Sequence, residues 1–98
     1  MYVRTVQFAL KVGAEEKGLA LLREHAEFVA RFPGCGRAYL ATPIHGTSCM
    51  VYSEWDSEAD IERLEGALRV DPGASGAFFG LLALVQKPPY VARFEVLG

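Results

Sequence analysis

Few side chains in this sequence combine the type and the placement that chemistry needs. Histidine titrates near neutral pH and is the natural proton acceptor there. The chain has two. His25 lies in the middle of the apolar half of a helical pattern, so its ring either borders a cavity or sits hydrogen-bonded in the core. His45 lies in the turn Ile44-His45-Gly46, where a solvated ring is the simpler reading. Trp55 closes a run of strand formers. Its indole could stack on a planar substrate and give its N–H to an oxygen, or it could pack between sheet and helix. Arg37, Arg93 and Gln7 fall in strand patterns. One of them pointing inward would hold a phenolate or carboxylate oxygen, and arginine would favour the anion. Arg93 and Glu95 share a strand face, which leaves a structural ion pair as the other reading. Tyr39 is a further strand aromatic. Phe78 and Phe79 sit in an uncharged stretch, residues 74–86, and would either line an apolar ligand pocket or fill a core.

Several chemistries are not indicated. No Ser/His/Asp set, glycine-rich phosphate loop or metal-ligand spacing is present, so neither a metal nor a cofactor is expected. Cys35 and Cys49 fall in one predicted hairpin, several residues apart along its ladder, too far for a disulfide. Ten basic and twelve acidic residues give a net charge of −2. Without a basic block, no nucleic-acid partner is expected. The longest apolar stretch, residues 77–85, falls well short of the roughly 20 residues that span a bilayer. The start, Met1-Tyr2-Val3-Arg4-Thr5, lacks the plan of a signal peptide. These readings together suggest a cytoplasmic protein with no membrane partner.

The elements that would position the candidates are legible. In residues 2–12, Tyr2, Arg4, Val6, Phe8, Leu10 and Val12 form one mostly apolar parity, the pattern of a half-buried strand. Residues 14–32 split cleanly at the helical period. Leu19, Leu21, Leu22, His25, Ala26, Phe28, Val29 and Phe32 take one half, and charged residues take the other. Pro33-Gly34 ends that helix. Residues 35–42 and 47–55 form a hairpin about Pro43-Ile44-His45-Gly46. A second helix opens with Ser57 as N-cap and carries Ile61, Leu64 and Leu68 as its stripe. Asp71-Pro72-Gly73 stops it. The 74–86 stretch gives a short helix in which Gly76 and Gly80 permit close approach, and residues 90–97 give a last strand.

Strand, helix, strand, strand, helix, short helix, strand is the split βαβ order. The fold expected over residues 1–98 is therefore a single α+β, ferredoxin-like domain with a four-stranded antiparallel sheet. Its helices cover one sheet face. The other, carrying Val51, Trp55 and Val91 or Phe94 according to register, would be covered by a second copy, giving a homodimeric α+β barrel.

The ordered set Gly13, Pro33-Gly34-Cys35, Trp55 and Asp56-Ser57-Glu58-Ala59-Asp60-Ile61 resembles the antibiotic biosynthesis monooxygenase domain family, over residues 2–70. The resemblance implies a dimeric α+β barrel with its cavity between sheet and helices. It also implies cofactor-independent oxygenation of a small aromatic or quinol-type substrate, with Trp55 as the family-matched site residue. Haem-degrading members carry a histidine nine residues after the tryptophan, where this chain has Leu64. They also carry an asparagine on the first strand, where it has Val6. In the enzyme reading Trp55 and His25 are catalytic, and Gln7, Arg37, Tyr39, Phe78, Phe79 and Arg93 bind the substrate. The alternative is a non-catalytic dimeric module that binds a small apolar or aromatic ligand.

Overall fold

The apolar parity of the first strand decides the layering. In the computed structural model, which describes residues 1–71 and 76–98, β1 (Tyr2–Ala9) turns Arg4, Val6 and Phe8 toward the helices, and Leu10 continues on the same side. Next come α1 (Glu15–Arg31), β2 (Cys35–Ala41), β3 (Ser48–Trp55), α2 (Glu58–Val70), α3 (Phe78–Leu82) and β4 (Tyr90–Glu95). The strands form one antiparallel sheet in the order β2-β3-β1-β4, the expected ferredoxin-like plan. The expected stop at Pro72-Gly73, and the first two residues of the 74–86 stretch, lie outside the described residues.

The core between sheet and helices has two centres. One gathers Val6, Phe8, Leu10, Leu22, Cys49, Val51 and Leu81. The other gathers Val29, Trp55, Ile61, Leu64 and Leu68. Leu64, where the resemblance noted above would place the histidine of haem-degrading members, is fully buried in the second. Gly80 packs on the Leu21 side chain, where an added Cβ would lie 3.3 Å from Cδ1, so the close approach is to a side chain rather than to a backbone.

The turn after α1 is locked to the start of α2. Gly34 has φ +93°, a conformation that disfavours any residue with a Cβ. A Cβ there would lie 2.2 Å from Cγ of Asp60. Asp60 is buried, accepts a hydrogen bond from Ser57 Oγ at 2.9 Å and pairs with Arg63. Its own N–H donates to Ser57 Oγ, so Ser57 is the N-cap that the sequence indicates. The Asp56 N–H donates to the Gly34 carbonyl at 3.2 Å. Residues 33–35 and 56–60, separate in sequence, are thus one joint.

Cys35 pairs with Trp55, as the hairpin register predicts, but a bulge separates it from Arg37, which pairs with Glu54. The extra residue switches sides. Cys35 stays against the Trp55 core while Arg37 moves to the far face. Both cysteines are free, Cys35 half-buried and Cys49 buried.

The far face corrects one expectation. Val51 and Trp55 do not lie on it. They belong to the helix-covered core, and Val91 pairs with Val6 on that same side. The open face instead carries Tyr39, Met50, Tyr52, Tyr90 and Phe94, with Val3, Thr5 and Gln7 between them. The Tyr39 and Tyr52 rings stack with centroids 6.0 Å apart. No helix among the described residues is long and apolar enough to cross a membrane.

Candidate active site

Arg4 is the charge out of place on the apolar parity of β1. Its side chain lies in the sheet–helix layer and the residue is 5% exposed. A buried guanidinium needs a partner. Its Nε donates to Glu65 Oε2 of α2 at 2.9 Å. Glu65 also pairs with Arg93 of β4, which reaches Glu58 and Glu62 as well. Burial pushes the Glu65 carboxyl up, but the hydrogen bonds from Arg93 and Arg4 outweigh it and hold the group below the ordinary carboxylate range. Burial likewise lowers the Arg4 pKa against the pull of Glu65. The guanidinium stays charged at neutral pH nonetheless.

Beside this pair opens a cleft of about 290 Å³, lined by Arg4, Glu65, Leu68, Arg69, Phe78 and Val91. Leu68, Phe78 and Val91 give it apolar walls beside the Arg4–Glu65 pair and Arg69. Behind its Phe78 wall lies His25. The two rings stack with centroids 5.1 Å apart and planes 28° from parallel. Phe8 and Phe28 flank the imidazole at 6.3 and 6.5 Å. His25 is 1% exposed, and its Nδ1 has no hydrogen-bond partner among the described residues. Burial, with the Arg4 charge nearby, lowers its pKa to about 4.

That depressed value sets a pH dependence. Unfolded His25 titrates near 6.5 and folded His25 near 4. Between the two the unfolded chain binds the extra proton, so stability falls as the pH drops through this window. The loss is complete below about 4 and amounts to roughly 3 kcal/mol. His25→Phe should abolish this part of the acid sensitivity. Urea unfolding at pH 7 and pH 4.5 reads it, and an unchanged difference between the two would mean the imidazole is not held neutral.

The other expected site residues divide between two faces. Trp55 is buried to 1% exposure, packs edge-on against Phe32 and gives its N–H to Ser53 Oγ at 2.8 Å. Of the two readings of Trp55, the structure has the packed one: the indole lies between sheet and helix with its donor used inside the core. Ser53 in turn donates to the Arg4 carbonyl at 3.3 Å. Gln7, Arg37 and Tyr39 lie on the open face, across the sheet from the cleft, and Arg37 donates to the Tyr39 hydroxyl at 3.2 Å. Phe79 is 68% exposed, because the short helix turns Phe78 inward and its neighbour outward. Arg93 reaches the site only through Glu65. Arg4 and Glu65 were the residues that sequence reasoning missed. The one available signal was a lone arginine among Tyr2, Val6, Phe8 and Leu10. Among the described residues no group of three His, Cys, Asp or Glu side chains could hold a metal ion.

The sequence profile of the antibiotic biosynthesis monooxygenase family matches residues 1–67. The chain belongs to the antibiotic biosynthesis monooxygenase family. The matched region includes β1 with Arg4, the Gly34–Asp60 joint, Trp55 and Glu65. Solved structures share the fold of this monooxygenase-family chain. The monooxygenase from the gene ActVA-Orf6 of Streptomyces coelicolor, in complex with the ligand nanaomycin D, is 24% identical with a TM-score of 0.76, covering 99% of this chain and 88% of that one. PA3566 from Pseudomonas aeruginosa is 18% identical with a TM-score of 0.78, covering 99% and 94%. An antibiotic biosynthesis monooxygenase-type protein from Nitrosomonas europaea is 20% identical with a TM-score of 0.78, and each chain is covered in full. Comparison with curated protein sequences gives no match.

Proposed function

We propose that the chain is a cofactor-independent monooxygenase for a small aromatic or quinol-type substrate held in the Arg4–Phe78 cleft. The observation that carries this is a buried guanidinium lining an open cleft beside Leu68, Phe78 and Val91, with Glu65 as its partner. Membership of the family supports it. So does the likeness to a Streptomyces coelicolor monooxygenase that holds an organic ligand.

An electron-rich phenolate or carbanion can give its own electrons to O₂, so the protein has to bind, orient and exclude water. In balance, the ring CH₂ of an anthrone-type phenol, or of a quinol's keto tautomer, and one O₂ become a C=O and one H₂O. Carbon is oxidised and O₂ reduced. Arg4 holds the oxygen anion, and the three apolar side chains flank the ring. Trp55 is a positioning residue, acting through Ser53 on the strand that carries Arg4. Two copies pair through the open face, where an uncovered row of Tyr39, Tyr52, Tyr90 and Phe94 would be a liability in water. A single-chain mass in sedimentation would overturn that pairing.

An oxygen electrode with a panel of quinols and anthrone-type phenols tests the activity. The product should carry one oxygen in place of two hydrogens, and Arg4→Gln should lower the rate at least tenfold, the loss of one strong oxyanion contact. Uptake no faster than the uncatalysed rate across the panel would sink the reading. The engaged Trp55 N–H and the low-titrating His25 favour a second one, in which the chain binds such a ligand without turning it over. Calorimetric binding without oxygen uptake would establish it.

A further inference from the structure

We infer that the cleft takes its ligand as a planar aromatic monoanion that is already ionised when it binds, rather than as a neutral phenol deprotonated by the protein. This rests on the reading above only in placing the ligand in that cleft. Every element around it was considered for a group that could take a proton. From β1 comes Arg4, from β4 Arg93, and from α2 Glu65 and Arg69. From α1 comes His25, behind Phe78. The helix α3, Phe-Phe-Gly-Leu-Leu, carries nothing titratable.

Glu65 is engaged by both Arg4 and Arg93, so its oxygens are already receiving donors. Two arginines also hold it below the ordinary carboxylate range, which makes it a weak base. His25 is walled off by the Phe78 ring and titrates near 4, so it cannot retain a phenol's proton at neutral pH. The cations are less committed. Arg4 gives its Nε to Glu65, and no hydrogen bond among the described residues takes its Nη groups. Arg69 stands exposed at the rim. Arg93 is shared among Glu58, Glu62 and Glu65. Among the described residues that line it, the cleft therefore offers a ring two arginines and no competent base. It suits a substrate whose hydroxyl is acidic in its own right, such as a phenol conjugated to a carbonyl.

A chromogenic probe tests this directly. 4-Nitrophenol titrates near neutral pH, and its phenolate absorbs visible light. Saturating protein should lower its apparent pKa by about one unit or more, corresponding to at least tenfold tighter binding of the anion. 4-Nitroanisole, the same ring without an ionisable oxygen, should bind at least tenfold more weakly than the phenolate. Arg69→Gln, at an exposed position that tolerates change, should shrink the pKa shift, and His25→Phe should leave it in place. An unchanged or raised pKa of the bound phenol, or equal binding of 4-nitroanisole, would overturn the inference. 4-Nitrobenzoate separates the two sources of charge: weaker binding than 4-nitrophenolate assigns the anion to a ring oxygen, tighter binding to a carboxylate, and both keep the monoanion. Oxygen uptake is read separately. A lowered pKa without uptake removes the monooxygenase and leaves this inference standing. Uptake with no pKa change does the reverse.

Discussion

Glu65→Leu should destabilise the protein by roughly 3 kcal/mol, the cost typical of leaving one member of a buried ion pair without its partner. Arg4 is the reason. It is 5% exposed and Glu65 supplies its one acceptor among the described residues, so removing the carboxylate leaves a guanidinium in an apolar layer. Arg93 is less affected, because Glu58 and Glu62 remain to it at the surface. Arg4→Met should cost less than Glu65→Leu, since the stranded carboxylate keeps Arg93. The double variant Arg4→Met/Glu65→Leu should recover most of the loss, because two apolar side chains replace a pair whose desolvation offsets much of its attraction. Urea midpoints of the four proteins give the cycle. A loss below about 0.5 kcal/mol in Glu65→Leu, the range of ordinary surface substitutions, would show that water in the cleft already solvates Arg4. The double variant has a further use. If folded, it should lower the pKa of bound 4-nitrophenol less than the unaltered protein does, with Arg69 supplying what remains, separating the pair's contribution to stability from its part in binding.

Gly34→Ala should cost about 3 kcal/mol, from a backbone conformation that L-residues rarely adopt together with loss of the Ser57–Asp60 cap. For a chain of this size that is a fall of roughly 15 °C in melting temperature. The new Cβ would meet Asp60 Cγ at 2.2 Å, so the carboxylate must leave its place. Ser57 and Arg63 then lose their acceptor. Combining Gly34→Ala with Asp60→Gly separates the two contributions, because the steric part vanishes while the strained φ remains. The pair should be less damaging than the sum of its parts by about 1 kcal/mol, as for residues in direct contact. Strict additivity in thermal unfolding would mean that the turn and the helix start are independent.

The sequence is most informative where one element has one buried face. The clean division of residues 14–32 fixes α1, and Ser57 with its acidic neighbours fixes the start of α2. His25 follows from the same division, because a histidine among Leu22, Ala26 and Val29 has nowhere else to go. The strands are harder. A pleated strand has two faces, and only their contrast tells which is buried. In β3 both faces are rich in strand formers, so Val51 and Trp55 could be set on the open side in error. In β2 the bulge changes the side between Cys35 and Arg37, a switch that no periodicity records. Arg4 went unread because a single charge among five apolar residues looks like tolerance. Glu65, on the exposed-looking side of α2, becomes meaningful only once β1 and β4 present Arg4 and Arg93 to it. Phe78 and Phe79 are adjacent and alike, and only the placement of the five-residue α3 separates them.

The cation of the cleft and its facing wall come from parts of the chain with very different anchorage. Arg4 stands on β1, an inner strand hydrogen-bonded on both sides, and its own carbonyl is tied through Ser53 to Trp55. Phe78 stands on a helix of five residues without a side-chain cap. Where a ligand's charge is placed and how broad a ring system is admitted are therefore separately variable traits. Substitutions at Phe78, unlike those at the fully buried Leu81, can reshape the cleft for bicyclic or tricyclic ligands without removing a side chain from the buried core, so one scaffold of this kind can diversify in the size of what it accepts while keeping a fixed polarity.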